Sequence, residues 1–207
     1  MRAAITGLGA VTLVACGTLS GGSAAAPPGA AAVTADVPST ETRATYDGIV
    51  ARLRAGDPAA QGKLETFSAA HPDLAGPLLN LGLVRARSGD DAGAQDLLRR
   101  ATQVCNQCGT AWNQLGVLHR QHGRFADAEQ AYLRAIALES GYAPAYYNLA
   151  VLYELYLPRP EQALENYERF LQLDGTADGS QDVEKWVADL RRRISTTATT
   201  ARADGST

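Results

Sequence analysis

The sequence predicts an all-α solenoid of stacked helix pairs, and three observations in it point to that class. Residue types recur at a fixed spacing of 34 through most of the chain. Between recurrences, apolar residues fall three and four apart, the spacing of one helix face. No stretch alternates apolar and polar residues as a half-buried strand would. A period of roughly 20–50 residues marks arrays in which each unit leaves an apolar face open and stacking closes the core.

The clearest unit is 109–142, with Trp112, Leu115 and Gly116 on a first helix and Ala128, Tyr132 and Ala135 on a second. Gly123 stands at the turn between them. One period earlier, in 75–108, the same places hold Leu78, Leu81, Gly82, Gly89, Ala94, Leu98 and Ala101. One period later, in 143–176, they hold Tyr146, Leu149 and Ala150. Tyr167 and Phe170 follow after a one-residue slip at Leu157-Pro158-Arg159-Pro160. A weaker unit, 41–74, keeps Gly48, Ala60, Leu64 and Pro72. Gly82, Gly116 and Ala150 let the two helices of a pair approach closely, and Ala94 and Ala128 do so from the facing helix. Leu81, Leu115 and Leu149 fill the groove between helices, while Tyr132 and Tyr167 reach the next unit. Gly89 and Gly123 sit where a first helix should stop.

These residues and spacings resemble the tetratricopeptide repeat (TPR) over residues 41–176. The resemblance implies a right-handed TPR solenoid of about four helix pairs. After a Gly/Asp-rich break at 174–180, Val183, Trp186, Val187, Leu190 and Ile194 mark one face of a helix over 180–194. An array needs such a terminal cap, apolar inside and polar outside. The Thr/Ala-rich 195–207 is expected to be a disordered tail.

The chain opens Met1-Arg2 and then runs uncharged from Ala3 to Ala15. Thirteen residues are too few to span a bilayer as a helix, which needs about 20. They suit the apolar region of a secretory signal over 1–15. Leu13-Val14-Ala15-Cys16-Gly17 resembles the lipobox of bacterial lipoproteins, in which the Cys is lipidated after cleavage. Several acyl chains anchor far more firmly than one. An ordinary signal peptide cut near Ala24 to Ala26 is the alternative. Residue 17 is Gly rather than Asp, which by the same resemblance implies the outer membrane, facing the periplasm. Residues 16–40 then read as the lipidated Cys and a flexible tether, with a reach of roughly 25–30 Å.

Charge is balanced, with 19 basic and 22 acidic residues interspersed for a net −3. No basic stripe is available to neutralise a phosphate backbone, which argues against nucleic-acid partners. Cys105-Asn106-Gln107-Cys108 lacks the βαβ context of a redox CxxC. His119 and His122 lie about 15–20 Å further along the next helix, too far to share a zinc ion with the cysteines. In an oxidising compartment a local disulfide between Cys105 and Cys108 is expected, with two free thiols as the alternative. Closing so small a loop stabilises by about 2 kcal/mol. No nucleophile–base set, phosphate-cradling loop or EF-hand loop occurs; no enzyme activity, metal or cofactor is expected.

In TPR arrays the first helix of each pair lines a concave groove. Here that picks out Leu79, Leu83 and Arg87; Asn113, Val117, Arg120 and Gln121; and Tyr147, Val151, Glu154 and Leu155. Together they offer apolar, amide and charged contacts suited to a peptide or partner helix. The basic residues with which some TPR co-chaperones clamp a C-terminal carboxylate are missing from the corresponding places; only Asn113 is of similar type.

A finer resemblance rests on Cys105-x-x-Cys108, on Ala145 to Tyr153, on Tyr156-Leu157 and on Lys185 to Leu190. These segments look like TPR lipoproteins described as components of TonB–ExbB–ExbD energy-transducing systems. The resemblance implies a periplasmic adaptor of an envelope machine. Two alternatives share the anchor and the repeat body: a pilus-assembly lipoprotein serving a secretin, and a scaffold recruiting peptidoglycan hydrolases.

Overall fold

The computed structural model describes residues 38–105, 107–175 and 179–204. The signal segment, Cys16 and nearly all of the tether lie outside the described residues. All regular structure among the described residues is helical: α1 (Thr40–Arg54), α2 (Ala60–Ala70), α3 (Ala75–Arg87), α4 (Asp91–Val104), α5 (Gly109–Gln121), α6 (Phe125–Leu138), α7 (Ala143–Leu155), α8 (Pro160–Asp174) and α9 (Ser180–Asp204). First helices thus begin within a residue of the expected openings. None of the described helices is long and apolar enough to cross a membrane. The chain divides into two compact units, one ending at Cys105 and one beginning at residue 106.

In the first unit, Ser39 caps α1 by accepting a hydrogen bond from the Thr42 N–H at 3.1 Å. Asp90 caps α4 in the same way from Gly93 at 3.0 Å. Either cap is worth about 1 kcal/mol. Arg52 and Arg54 lie in the last turn of α1, where positive charge suits the helix dipole. The core around α1 to α3 consists of Ile49, Leu64, Phe67 and Leu81, with Tyr46, Leu53, Leu74 and Leu97 packed on it. Between α3 and α4, Leu78, Ala94, Leu98 and Ala101 are almost wholly buried.

Three first helices end alike. The N–H of Gly89 bonds the Ala86 carbonyl at 3.2 Å and that of Asp90 bonds the Arg85 carbonyl at 2.9 Å. Gly56 with Asp57, and Gly123 with Arg124, repeat the pair of bonds. Each glycine has positive φ, between 71° and 80°. That is the Schellman stop, which satisfies orphan carbonyls and favours glycine. In the last pair, position 157 is Leu, and no described non-glycine residue takes positive φ. The chain instead turns through Leu157, Pro158 and Arg159, with the Arg159 N–H on the Tyr153 carbonyl at 2.8 Å. The one-residue slip is the geometric consequence of losing that glycine.

The second unit has the larger core. Tyr132, Leu149, Ala150, Leu152, Tyr167 and Phe170 join Val183, Val187 and Leu190 of α9 in one cluster. The capping role expected of 180–194 is thus filled by these residues. The helix does not stop there: α9 continues to Asp204, where a disordered tail was expected from residue 195. Hydroxyls of Ser195, Thr196, Thr197 and Thr199 bond backbone carbonyls three or four residues back, so the polar side chains follow the helix rather than end it.

Candidate functional site

First helices present the candidate binding face, and each unit presents its own part. In the first unit, Leu79 and Leu83 are half-buried on α3 and Arg87 is exposed near its end. Asn80 beside them is buried, and its amide donates to the Tyr46 hydroxyl. Burial pushes the Tyr46 phenol well above its usual range, with the Asn80 bond acting in the opposite direction.

In the second unit the structure corrects part of the expected set. Asn113 is only 2% exposed, and its side-chain oxygen accepts from Asn148 at 2.9 Å. It ties α5 to α7 and offers nothing to a ligand. Val151 is likewise buried in the core. Both corrections have one cause. Packing against later elements covers these positions (α7 in the case of Asn113), and sequence spacing within a single helix does not reveal which positions will be covered. Val117, Arg120 and Tyr147 are half-buried, and Gln121 and Leu155 are exposed.

Tyr147 belongs to an aromatic cluster, with ring centroids 6.1 Å from Tyr167, 5.4 Å from Phe170 and 6.4 Å from Trp186. Glu154 has a side chain only 4% exposed. Its carboxylate accepts from Arg193 of α9 at 2.8 Å and from the Tyr167 hydroxyl at 3.1 Å. The cap therefore holds the last first helix by charge as well as by packing, because a carboxylate that buried requires partners.

Arg120 stands differently. Its Nε faces the Tyr132 hydroxyl at 3.4 Å, and its guanidinium lies 5.7 Å from the centre of the Tyr156 ring. Burial opposes its charge, but the hydroxyls of Tyr132 and Tyr156 outweigh that and raise its pKa. Tyr156 packs on Phe125 at 4.9 Å. Phe125 was not singled out from the sequence, and Tyr156 entered only as part of the finer resemblance, not as a site residue. The signal available was the slip after Tyr156, which brings a large ring to the end of α7.

Close by, Glu129 accepts from the Tyr153 hydroxyl at 2.8 Å and from Arg159 at 2.7 Å. Burial, with the Glu129 carboxylate adding to it, pushes the Tyr153 phenol up to about 12. His119 is held below its usual range by burial and by Arg124. Among the described residues, no three His, Cys, Asp or Glu side chains converge as metal ligands. Cys105 ends α4, Cys108 precedes α5, and the two are disulfide-bonded.

Residues 109–142 and 143–176 each match a tetratricopeptide-repeat family model. No curated protein matches the chain. Several solved structures resemble it in fold. Pseudomonas aeruginosa pilF is 21% identical, with 78% of this chain and 72% of that chain covered and a TM-score of 0.65. MamA from Desulfovibrio magneticus is 18% identical, covering 79% and 91%, with a TM-score of 0.60. The first TPR domain of Spaghetti (RPAP3), solved with the HSP90 peptide SRMEEVD, is 20% identical, covering 58% and 93%, with a TM-score of 0.52. At these identities the likeness is one of fold. With two family-matched repeats at the expected phase, the architecture is that of a TPR solenoid.

Proposed function

We propose that this chain is a protein-binding scaffold, held to the periplasmic face of the outer membrane by a lipid on Cys16. The observation that carries the binding reading is the half-open face of α5 and α7, where Arg120 lies over the exposed Tyr156 ring, Val117 is half-buried and Leu155 is exposed. Such a mixed apolar and cationic surface suits a peptide or helix held by several modest contacts. The TPR structure solved with an HSP90 peptide is an example of the same fold used in that way. The anchor reading rests on Leu13 to Gly17 and on the uncharged run before it. In that compartment the Cys105–Cys108 bond would persist and fix the turn it closes.

The partner we favour is a component of a TonB–ExbB–ExbD system, on the finer sequence resemblance. Affinity capture from crosslinked envelopes should then recover ExbB, ExbD or TonB. Recovery of secretin subunits or murein hydrolases alone would replace that reading with one of its two alternatives. Cys16→Ser should release the protein from membranes, and retention of the variant would remove the lipid anchor from the reading.

A further inference from the structure

The first unit holds an open cleft between α1 and α2, with a volume of about 750 Å³. That is within the size range of small-molecule sites. Residues peculiar to this pair create it. Where the later first helices carry Leu78, Trp112 and Tyr146, α1 carries Ala44. A methyl group added at Gly48 or at Gly62 would meet nothing within 4 Å. The buried side chains of Ile49 and Phe67 form the floor. Lining residues run from Ala44 to Arg52 on α1 and from Ala59 to Ala70 on α2. At 1.5 Å per residue, that makes a trough about 12–16 Å long.

The two ends of the trough differ in charge. The end at Ala44 and Ala70 is uncharged, whereas Arg52 and Lys63 stand at the end beside the α1–α2 turn, and no acidic side chain is among the described lining residues. Arg52 is paired with Asp57 at 2.6 Å. Lys63 is exposed and acts on that carboxylate only from further off. Helix α2 begins at the same end. Asp57 accepts from the Ala59 N–H at 2.8 Å, but Ala59 itself caps nothing and the first turn of α2 carries no acidic residue. Uncapped N–H groups, the positive end of the helix dipole and a lysine point charge together favour a phosphate. An apolar trough with one cationic end is complementary to a single-chain amphiphile, tail along the floor and head at the turn. We propose that this cleft binds one acyl chain of a phosphate-headed lipid, with the tail over Gly48 and Gly62 and the phosphate at Lys63 and the start of α2. The scaffold reading is independent of it, since Arg120 and Tyr156 belong to the other unit.

The test titrates the full chain carrying Cys16→Ser, which has no acyl group of its own to compete. The probes, each kept below its micelle concentration, are dodecyl phosphate, dodecanoate, dodecyl maltoside and butyl phosphate. The readout is the backbone amide NMR signals of Gly48 and Gly62, assigned by their loss in Gly48→Ala and Gly62→Ala. Dodecyl phosphate should shift both saturably and bind about tenfold more tightly than dodecyl maltoside, as the lysine and the helix terminus together would give. Butyl phosphate, with most of the tail removed, should bind more weakly than dodecyl phosphate by at least about tenfold. Lys63→Glu should erase the preference for phosphate and leave binding of the maltoside unchanged. Gly48→Leu, which fills the trough without unfolding the chain, should abolish binding of all three dodecyl probes. Equal binding of the maltoside, or tighter binding of dodecanoate, overturns the phosphate head. Unmoved glycine signals, or dodecyl binding that survives Gly48→Leu, overturn the site itself. None of these negatives touches the scaffold reading, which is tested by capture of envelope partners.

Discussion

The first helix pair and the third are built on the same pattern, yet they close differently. Gly48 of α1 and Gly116 of α5 stand at the same phase of the repeat, two periods apart. A methyl group added at Gly116 would lie 2.6 Å from Cε1 and 2.7 Å from Cδ1 of Tyr132, a ring that is 0% exposed. At Gly48 the same methyl would meet nothing within 4 Å. Around Gly48 and Gly62 there is instead a cleft of about 750 Å³, floored by Ile49 and Phe67. Glycine serves close approach in the third pair and does no such work in the first. A repeat can therefore keep its residues where it has relaxed its contacts, and matching positions do not guarantee matching packing.

The largest effect that would break this contrast is at Gly116. Gly116→Ala forces the Tyr132 ring out of a filled core and away from Arg120. Overpacking of this kind costs about 1–3 kcal/mol. The helix-propensity gain of about 1 kcal/mol offsets only part of it. A net loss of up to about 2 kcal/mol, read from the denaturant midpoint with unchanged slope, is expected. An unchanged midpoint would mean that the ring has room the structure does not show.

Gly82→Ala should fall between the two. Its methyl would sit 3.0 Å from Cγ and 3.1 Å from Cδ2 of Leu98, and 3.4 Å from the Ala94 carbonyl. A leucine can yield by a few tenths of an ångström more easily than a wedged ring. The strain and the propensity gain are then each about 1 kcal/mol, and the midpoint should move by less than half as much as at Gly116. Equal losses at the two sites would remove ring rigidity as the explanation.

The sequence made the phase legible because a glycine or a small residue recurs wherever two helices touch. Gly89 and Gly123 marked two turns, and Leu157-Pro158-Arg159-Pro160 marked the slip. What it could not carry was contact between helices far apart in the sequence. Asn113 is buried because Asn148 reaches it from 35 positions further along, and no periodic property of α5 announces that. Arg193 on Glu154 spans 39 positions. The expected groove set fails at Asn113 and Val151, which are buried because other helices cover them. The length of α9 escaped for another reason. Threonine lowers helix propensity, but here its hydroxyls bond the helix's own carbonyls.

The two regions also differ in how they keep a buried tyrosine. Tyr46 leans on a neutral amide, whereas Tyr153 leans on the Glu129 carboxylate. Burial raises both phenols, and Glu129 adds to the rise at Tyr153, bringing it up to about 12. The folded state thus favours the neutral phenol of Tyr153. Its stabilisation is complete below the unfolded value, near 10, and disappears as pH rises from there through about 12. In a spectrophotometric titration, Tyr153→Phe should delete one late-ionising tyrosine and leave the late ionisation of Tyr46. Loss of an ordinary phenol near pH 10 instead would remove Glu129 and burial as controls on Tyr153.

The smallest effect has the opposite sign. Gly48 lies inside α1, where glycine loses more backbone freedom on folding than alanine does and here gains no contact in return. Gly48→Ala should stabilise the chain by about 0.5–1 kcal/mol, through the unfolded ensemble rather than through new packing. A bulkier Gly48→Leu would separate the two contributions, because its side chain could reach Ile49 and Phe67 across the cleft. If the cleft is genuine space, Leu should stabilise at least as much as Ala. If both substitutions destabilise, then α1 and α2 close on each other as tightly as α5 and α6, and the contrast between the first and third pairs disappears.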